Sequence, residues 1–334
     1  MTPSRRQFPI TLLLVSLASP LPATVGAQSF VYLTQWGSPG SGPGQFNKPL
    51  AVAVDAAGDV YVVDWERVSL GGNSRIQKFT GAGTYILQWG SSGSGNGQFD
   101  TPAGVAADLA GNVFVVDDHN FRIQKFSNTG TYLSQWGSYG GGFGYFDNPI
   151  SVATDPAGNV YVSELAGQRV QKFTGNGVFL TQWGTFGSGD GQFFSPVGVA
   201  TDAFGNVYVA DRANDRIQKF TDTGTYLAQW GSTGSGNGQF FAPSAVATDA
   251  AGNVYVADSN NSRIQVFTGA GVYLTQWGSF GSGNGEFFYP YGIAVNAIGE
   301  VYVADFDNYR VQKFGPAITP TTTASWGRIK SLYR

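Results

Sequence analysis

The sequence predicts an all-β fold, a six-bladed β-propeller made of four-stranded antiparallel blades. The first observation is a phrase that occurs six times, as in Gly252 to Asp258. The second is its spacing, since the arginine that follows each copy recurs every 47 residues, at Arg75, Arg122, Arg169, Arg216, Arg263 and Arg310. A fixed period of this length is typical of solenoids, propellers and other repeat arrays.

The third observation is that each repeat divides into four short strands. In the fourth repeat, one strand follows Pro196, and the others span Asn206 to Asp211, Arg216 to Phe220 and Thr225 to Trp230. These segments are rich in β-branched and aromatic residues, alternate with a period of two, and are bounded by Gly, Asp, Asn or Pro. Four antiparallel strands per repeat make one propeller blade.

The ends of the array predict how the ring closes. Phe30 to Trp36 has the pattern of a fourth strand without a preceding blade, whereas the sixth repeat has only three strands and ends at Phe314. Pairing the first strand with the last blade completes the ring and leaves no open sheet edge. We therefore expect a monomeric propeller over residues 28–315, closed by its N-terminal strand.

The first 27 residues have the pattern of an export signal. Arg5 and Arg6 precede the apolar run Ile10 to Ala18, and Val25 to Ala27 forms a small-residue cleavage site. The apolar run is too short for a membrane anchor, so no transmembrane segment is expected after cleavage. The signal is either of the general secretory type or, because Ser4 to Phe8 resembles the twin-arginine consensus, of that second type. Both place the protein outside the cytoplasm, secreted or periplasmic.

Residues 316–334 form a separate C-terminal tail. Thr319 to Thr323 is rich in Thr and Pro, which predicts an extended linker. Beyond it, Arg328, Lys330 and Arg334 supply three basic charges without an acid. The tail is either a sorting or surface-docking signal or the remnant of another fourth strand.

Composition excludes several classes of function. The chain has no cysteine, which excludes disulfides and Cys-ligated metals, and its one histidine, His119, cannot form a multi-histidine zinc site. Residues 28–315 carry 14 Lys and Arg against 22 Asp and Glu, a net charge of −8. Nucleic-acid binding needs clustered surplus basic charge and is therefore not expected. No metal and no other cofactor are predicted.

Four repeated phrases carry a resemblance to a known family. They are Pro-x-Gly-Val-Ala-x-Asp, Gly-Asn-Val-Tyr-Val-Ala-Asp, Asn-x-Arg-Ile-Gln-Lys-Phe and Gly-x-Tyr-Leu-x-Gln-Trp-Gly, and together they resemble the NHL repeat over Phe30 to Phe314. Glu164, Gly167, Val266 and Asn296 depart from the pattern, which disfavours a uniform six-fold ligand site. The resemblance implies a six-bladed propeller whose relatives bind proteins, RNA or small ligands, or act as lyases or lactonases, so it does not by itself give a function.

The repeated charged residues are predicted to be structural. An acid that ends the second strand and an arginine that opens the third lie across one loop, where they can form a charge-assisted pair. Because every blade has this pair, we expect it to build the blade. The pairs are Asp64 with Arg75, Asp117 with Arg122, Glu164 with Arg169, Asp211 with Arg216, Asp258 with Arg263, and Asp305 with Arg310.

The loops in which the repeats differ predict the binding face. The loop before each repeat's proline and the loop between its second and third strands share one face, which also carries the only insertion, within Trp65 to Ser74. Candidate partner-binding residues on this face are Trp65, His119, Arg212, Asn260, Tyr289, Tyr291, Phe306 and Tyr309. Phe194, Phe241 and Phe288 are predicted to fill gaps between blades instead, and the six repeated tryptophans to pack the blades.

Together these features predict an exported, non-catalytic scaffold that binds a protein or glycan through its loop-variable face. No catalytic residue is assigned, because a nucleophilic triad would depend on His119 as its only base. The alternative is a hydrolase or lyase, lactonase-like, that acts at the mouth of the central channel.

Overall fold

The computed structural model describes residues 29–65 and 73–317. These residues form six four-stranded antiparallel sheets, each with its first strand innermost and its fourth outermost. The predicted fold is confirmed. The predicted export signal lies outside the described residues, as do residues 66–72 of the insertion and residues 318–334 of the tail.

The strands are short and nearly uniform from blade to blade. Blade 1 contains β2 (Pro49–Val54), β3 (Val60–Asp64), β4 (Arg75–Phe79) and β5 (Tyr85–Trp89). Blade 2 contains β6 (Pro102–Ala107), β7 (Asn112–Asp117), β8 (Arg122–Ser127) and β9 (Tyr132–Trp136). Blade 3 contains β10 (Pro149–Thr154), β11 (Val160–Glu164), β12 (Arg169–Phe173) and β13 (Phe179–Trp183).

Blade 4 contains β14 (Pro196–Thr201), β15 (Asn206–Asp211), β16 (Arg216–Thr221) and β17 (Tyr226–Trp230). Blade 5 contains β18 (Pro243–Thr248), β19 (Val254–Asp258), β20 (Arg263–Phe267) and β21 (Tyr273–Trp277). Blade 6 contains β22 (Pro290–Val295), β23 (Val301–Asp305), β24 (Arg310–Pro316) and β1 (Phe30–Trp36). One-turn 3-10 helices follow the second strand at Asp118–Asn120, Arg212–Asn214, Ser259–Asn261 and Phe306–Asn308.

Ring closure occurs as the sequence predicts. β1 runs antiparallel to β24, with Tyr32 opposite Phe314 and Trp36 opposite Val311. The Phe30 ring stacks on Trp277 of blade 5, with centroids 4.5 Å apart. The N-terminal strand therefore joins the last blade to the fifth and removes the free edge of β24.

The turn between the first and second strands is fixed by the repeated Asp and Gly. In blade 4, Asp202 accepts hydrogen bonds from the backbone N–H groups of Phe204 at 2.9 Å and Asn206 at 2.8 Å, and from the Tyr208 hydroxyl at 2.9 Å. Gly205 has φ of +82°, a backbone conformation that residues with a Cβ rarely adopt. The carboxylate therefore holds the turn.

Adjacent blades pack through aromatic and β-branched side chains. Each blade contributes a second strand that is almost wholly buried, such as Val207 and Tyr208, both 0% exposed. In five of the six outer strands the terminal tryptophan packs on a glycine of the next blade, and a Cβ on Gly224 would lie 2.6 Å from Trp183. The sixth, Trp277, stacks on Phe30 instead. Burying an aromatic side chain contributes roughly 1.5–3 kcal/mol, so these contacts hold the ring together.

The fold is thus a closed all-β ring. Among the described residues, no helix is long and apolar enough to cross a membrane.

Candidate binding face

The loop-variable face is one end of the propeller. Pro49, which begins β2, pairs with Asp64, which ends β3, so the loops before and after these residues share a face. The same proline-to-acid pairing recurs in all six blades. We call this end the upper face and the opposite end the lower face.

The predicted acid–arginine pairs lie just beneath the loops of the upper face. In each blade the arginine Nε atom is 2.6–3.0 Å from a carboxylate oxygen of its partner. All six carboxylates are buried, and burial raises the pKa of Asp64, Asp117 and Asp305, although their donors partly offset this shift. An enclosed pair of this kind cannot reach a ligand.

Each arginine also fixes the glycine-rich loop above it. In blade 4, the Arg216 guanidinium donates to the backbone carbonyls of Ser188, Gly189 and Gln192 at 2.7–2.9 Å. These loops lead from the outer strand of one blade to the inner strand of the next. The pair therefore determines the path of the loop from the rim to the axis.

Blade 3 reaches the same arrangement with different residues. Glu164 contacts Arg169 at 2.6 Å, and its longer side chain fills the space where the other blades place an asparagine amide. A Cβ on Gly167 would lie 2.7 Å from the Glu164 carboxylate, so any other residue there would displace the glutamate from its present position. Glu164 and Gly167 are thus a coupled change, and the departure from the repeat pattern preserves the pair.

Five aromatic residues of the upper face form a cluster, which we call the aromatic patch: Trp65, Tyr289, Tyr291, Phe306 and Tyr309. Phe306 is central, with its ring centroid 6.1 Å from that of Trp65, 6.3 Å from Tyr289 and 6.0 Å from Tyr291. All five side chains are half-buried. The loops of blades 1 and 6 therefore present a continuous aromatic surface.

Lys48 links Tyr309 to the aromatic patch. Its Nζ atom lies 4.7 Å from the Phe306 centroid and 5.1 Å from that of Tyr309, within the range of cation–π attraction. It also forms an ion pair of 2.6 Å with Asp307. Lys48 is not among the residues predicted from the sequence, although it is the only charged residue among the six that precede the repeat prolines.

Arg212 reaches the aromatic patch from blade 4. Its Nη2 atom donates a hydrogen bond to the Tyr289 hydroxyl, and its Cζ atom lies 5.9 Å from the Tyr291 centroid. Burial raises the pKa of the Tyr291 hydroxyl, and the positive charge of Arg212 offsets part of that shift. The structure thus brings together six of the eight candidate residues.

His119 and Asn260 lie apart from this group. His119 is exposed, with Nδ1 2.8 Å from the Thr101 hydroxyl oxygen and 3.7 Å from Asp100. Asn260 is exposed on blade 5. Within the described chain, no side-chain interaction joins either residue to the aromatic patch. Their shared face could be predicted from the repeat, but their separation could not.

Asp118 is a carboxyl group of the upper face that the repeat pattern does not explain. It is buried and accepts a hydrogen bond of 2.5 Å from the Asn148 side chain. Burial raises the pKa of Asp118, while Asn148 and the nearby His119 lower it in part. Its negative charge also adds slightly to the rise in the pKa of Tyr291 that burial causes.

The prediction for Phe194, Phe241 and Phe288 is wrong. They are 44%, 50% and 44% exposed on the upper face, and the preceding phenylalanines, Phe193, Phe240 and Phe287, are fully buried. The first phenylalanine of each pair packs beneath a glycine of the loop, as Phe240 does under Gly231. The alternation of the chain then turns the second one outward.

The central channel opens at the middle of the upper face. It is lined by the six innermost strands and encloses about 200 Å³. Its lining is mainly aliphatic, with no acidic, basic or histidine side chain among the described residues that form it. Throughout the described chain, no three His, Cys, Asp or Glu residues are grouped so that they could hold a metal ion.

Comparison with known proteins agrees with the repeat architecture. The NHL repeat model matches residues 46–79, 193–220, 242–267 and 287–314. The human protein "NHL repeat-containing protein 3" is 35% identical over 80 residues, which are 23% of this chain and 22% of that protein. The chain thus spans about a fifth of this relative's length.

Two solved structures show the same fold at low sequence identity. An auxiliary nutrient binding protein from Bacteroides ovatus aligns with a TM-score of 0.63 and 16% identity, over 86% of this chain and 77% of that chain. Virginiamycin B lyase from Staphylococcus aureus aligns with a TM-score of 0.56 and 13% identity, over 83% and 82%. Such likeness concerns the fold alone. The chain therefore contains NHL repeats at four of its six blades, and all six blades close into the propeller that the resemblance implies.

Proposed function

We propose that this protein is an exported, non-catalytic scaffold that binds a protein or glycan partner through its upper face. The observation that carries the proposal is the aromatic patch with its two cations, Lys48 and Arg212, on a rigid ring. Half-buried aromatic side chains offer a large contact area with little conformational entropy to lose, which suits them as binding anchors. Export rests on the sequence of the first 27 residues.

The exposed phenylalanines extend this surface toward blades 4 to 6. Phe186 and Phe280, 64% and 70% exposed, make edge-to-face pairs with Phe194 and Phe288 at 5.2 Å. In blades 1 to 3, Asn47, Asp100 and Asp147 occupy the positions of Phe194, Phe241 and Phe288. This one position of the upper face is therefore apolar in blades 4 to 6 and polar in blades 1 to 3, while Tyr139, Phe143 and Tyr145 expose further aromatic side chains in the loop between blades 2 and 3.

Replacing Trp65, Tyr289, Tyr291 and Tyr309 together with alanine is expected to abolish partner binding, because central aromatic anchors contribute about 2 kcal/mol or more each. The measurement is a pull-down from the native envelope or culture medium, with thermal unfolding as the test of folding. Trp65→Ala alone, at the edge of the patch, is expected to weaken binding without altering the ring.

The matched control removes apolar area from the lower face. Leu109, Phe204 and Ile298 are 72%, 71% and 72% exposed in turns of that end. Replacing these three with serine should leave partner binding unchanged. The proposal fails if the patch variant still captures every partner that the native protein captures.

A hydrolase or lyase that acts at the channel mouth is the second candidate, and Asp118 is the observation in its favour. A buried carboxyl group with a raised pKa is a feature of general acids and bases. A screen of lactones and esters, with metal analysis of the purified protein, tests this function. Turnover that is lost in Asp118→Asn would support the enzyme and contradict the non-catalytic proposal.

A further inference from the structure

We infer that the channel mouth on the upper face is a binding site for a small monocarboxylic acid. The carboxylate would pair with Arg212, and an aromatic or short aliphatic body would enter the upper channel beside Tyr291. This goes beyond the proposed scaffold function, because the ligand is a small molecule and occupies the channel. Three features carry the inference: the guanidinium of Arg212, which has no carboxylate partner among the described residues, the volume of the channel and the charge around its mouth.

Arg212 differs from every other described arginine. The six repeat arginines are each paired with a buried carboxylate, whereas Arg212 has no carboxylate partner in the described chain. It is nevertheless held in place by the Tyr289 hydroxyl and the Tyr291 ring. A guanidinium carries five N–H donors in a planar fork that matches a carboxylate. Among the described residues the Tyr289 hydroxyl is the hydrogen-bond partner of this guanidinium, which leaves its other donors for a ligand.

The channel beneath has a suitable size and lining. Tyr291 contacts Arg212 and also lines the channel, whose upper tier adds Leu50, Ala103, Ile150 and Val197. The channel volume of about 200 Å³ exceeds the roughly 150 Å³ of an apolar protein cavity that binds benzene. Because this volume extends along the whole of the six inner strands, the body of the ligand would be a single ring or a short alkyl chain aligned with the channel axis below Arg212.

Side-chain hydroxyl groups donate hydrogen bonds to some of the backbone carbonyls on the free edges of the innermost strands. Thr154, Thr201 and Thr248 each donate to a carbonyl of the preceding blade, at 2.9, 2.8 and 2.7 Å. Ser244 donates to the Tyr291 carbonyl at 2.7 Å. Fewer backbone groups therefore depend on water in the channel, which lowers the cost of replacing that water with an apolar body.

The surrounding charges favour a single carboxylate over a phosphate or a dicarboxylate. Lys48, the other cation near the patch, is already paired with Asp307. Asp118 places a carboxyl group in the same region, and residues 28–315 carry a net charge of −8. The single positive charge of Arg212 can balance one negative charge of a ligand, and a second negative charge would meet repulsion.

The test is isothermal titration calorimetry of the purified protein with benzoate and hexanoate, each compared with its neutral amide. Both acids should bind, and benzamide and hexanamide should bind more weakly. Arg212→Gln should weaken binding of the acids by about tenfold to a hundredfold, as expected for loss of a charge-assisted hydrogen bond, and should leave the amides within about twofold. Arg212→Lys, which keeps the charge but not the fork, should give an intermediate loss.

Lys219→Gln is the matched control, because it removes the same charge from a lysine whose Nζ atom contacts the Gly269 carbonyl on blade 5, away from the mouth. This variant should bind the acids as the native protein does. Any of three results would overturn the inference. The acids do not bind, or acid and amide bind equally, or Arg212→Gln and Lys219→Gln lose the same amount of acid binding. Capture of the macromolecular partner by Arg212→Gln is measured in a separate pull-down. That result bears on the scaffold proposal, whereas the calorimetry bears only on binding of the acid.

Discussion

Arg122→Met is expected to lower the free energy of unfolding by about 3–5 kcal/mol, the cost of leaving a buried charge without its partner. Asp117 is 0% exposed, and Arg122 Nε lies 2.7 Å from its carboxylate. The substitution also removes hydrogen bonds to the carbonyls of Gly95 and Gln98, at 2.8 and 3.0 Å. Denaturant unfolding at pH 7 measures the loss.

The loss of unfolding free energy in Arg122→Met should become smaller as the pH is lowered. Burial already raises the pKa of Asp117 above that of an exposed aspartate, and removing Arg122 raises it further. A carboxyl group with a higher pKa in the folded state binds its proton more tightly there, so stability is lost as pH rises through the folded pKa and regained as pH falls. The difference between variant and native protein should therefore be largest near neutral pH.

Arg212→Met is the control for stability, since Arg212 is half-buried and has no carboxylate partner among the described residues. Arg212→Met should lower the free energy of unfolding by less than about 1 kcal/mol. An equal loss in the two variants, or a deficit in Arg122→Met that does not change with pH, would contradict the structural role assigned to the repeated pairs.

Deleting residues 28–36 is expected to destabilise the ring by on the order of 5 kcal/mol and to cause self-association. The deletion removes β1, which pairs with β24, and with it the half-buried side chains of Phe30, Tyr32 and Trp36. It also exposes the backbone edge of β24, which can then pair with another chain. Thermal unfolding and light scattering measure the two effects.

Substitutions on the outer side of β1 are the control, because they change the sequence of the strand without removing its pairing or its packed side chains. Val31 and Leu33, 44% and 46% exposed, lie on the outer side of β1. Replacing both with threonine keeps the strand and its β propensity and should change the melting temperature little. An unchanged melting temperature and a monodisperse sample after deletion of residues 28–36 would refute closure through β1.

The ring could be predicted from the sequence because the strand patterns, the turn residues and their repeat spacing are all local features of the chain. β15 occupies Asn206–Asp211 and β1 occupies Phe30–Trp36, the bounds expected from alternation and turn residues. The acid–arginine pairs followed from their recurrence at a fixed spacing. Closure could be predicted because an unmatched strand at one end and a missing strand at the other have one simple solution in a closed ring.

The binding face was predicted only in part. The repeat shows which loops share a face, but the aromatic patch joins residues of blades 1 and 6 that are about 240 positions apart in sequence. The exposure of Phe194, Phe241 and Phe288 was predicted wrongly because adjacent phenylalanines give no periodic signal for which one packs inward. Lys48 was missed because its cation–π partners lie on another blade.

By itself, the sequence determined the number of blades, the strands, the turn chemistry and the way in which the ring closes, since each depends on patterns repeated within 47 residues. Only the tertiary structure decided which differing loop residues meet. Arg212 lies beside Tyr289 and Tyr291, 77 and 79 positions away, because the ring curves their loops toward one axis. Contacts between blades depend on that curvature, and no local pattern in the chain records it.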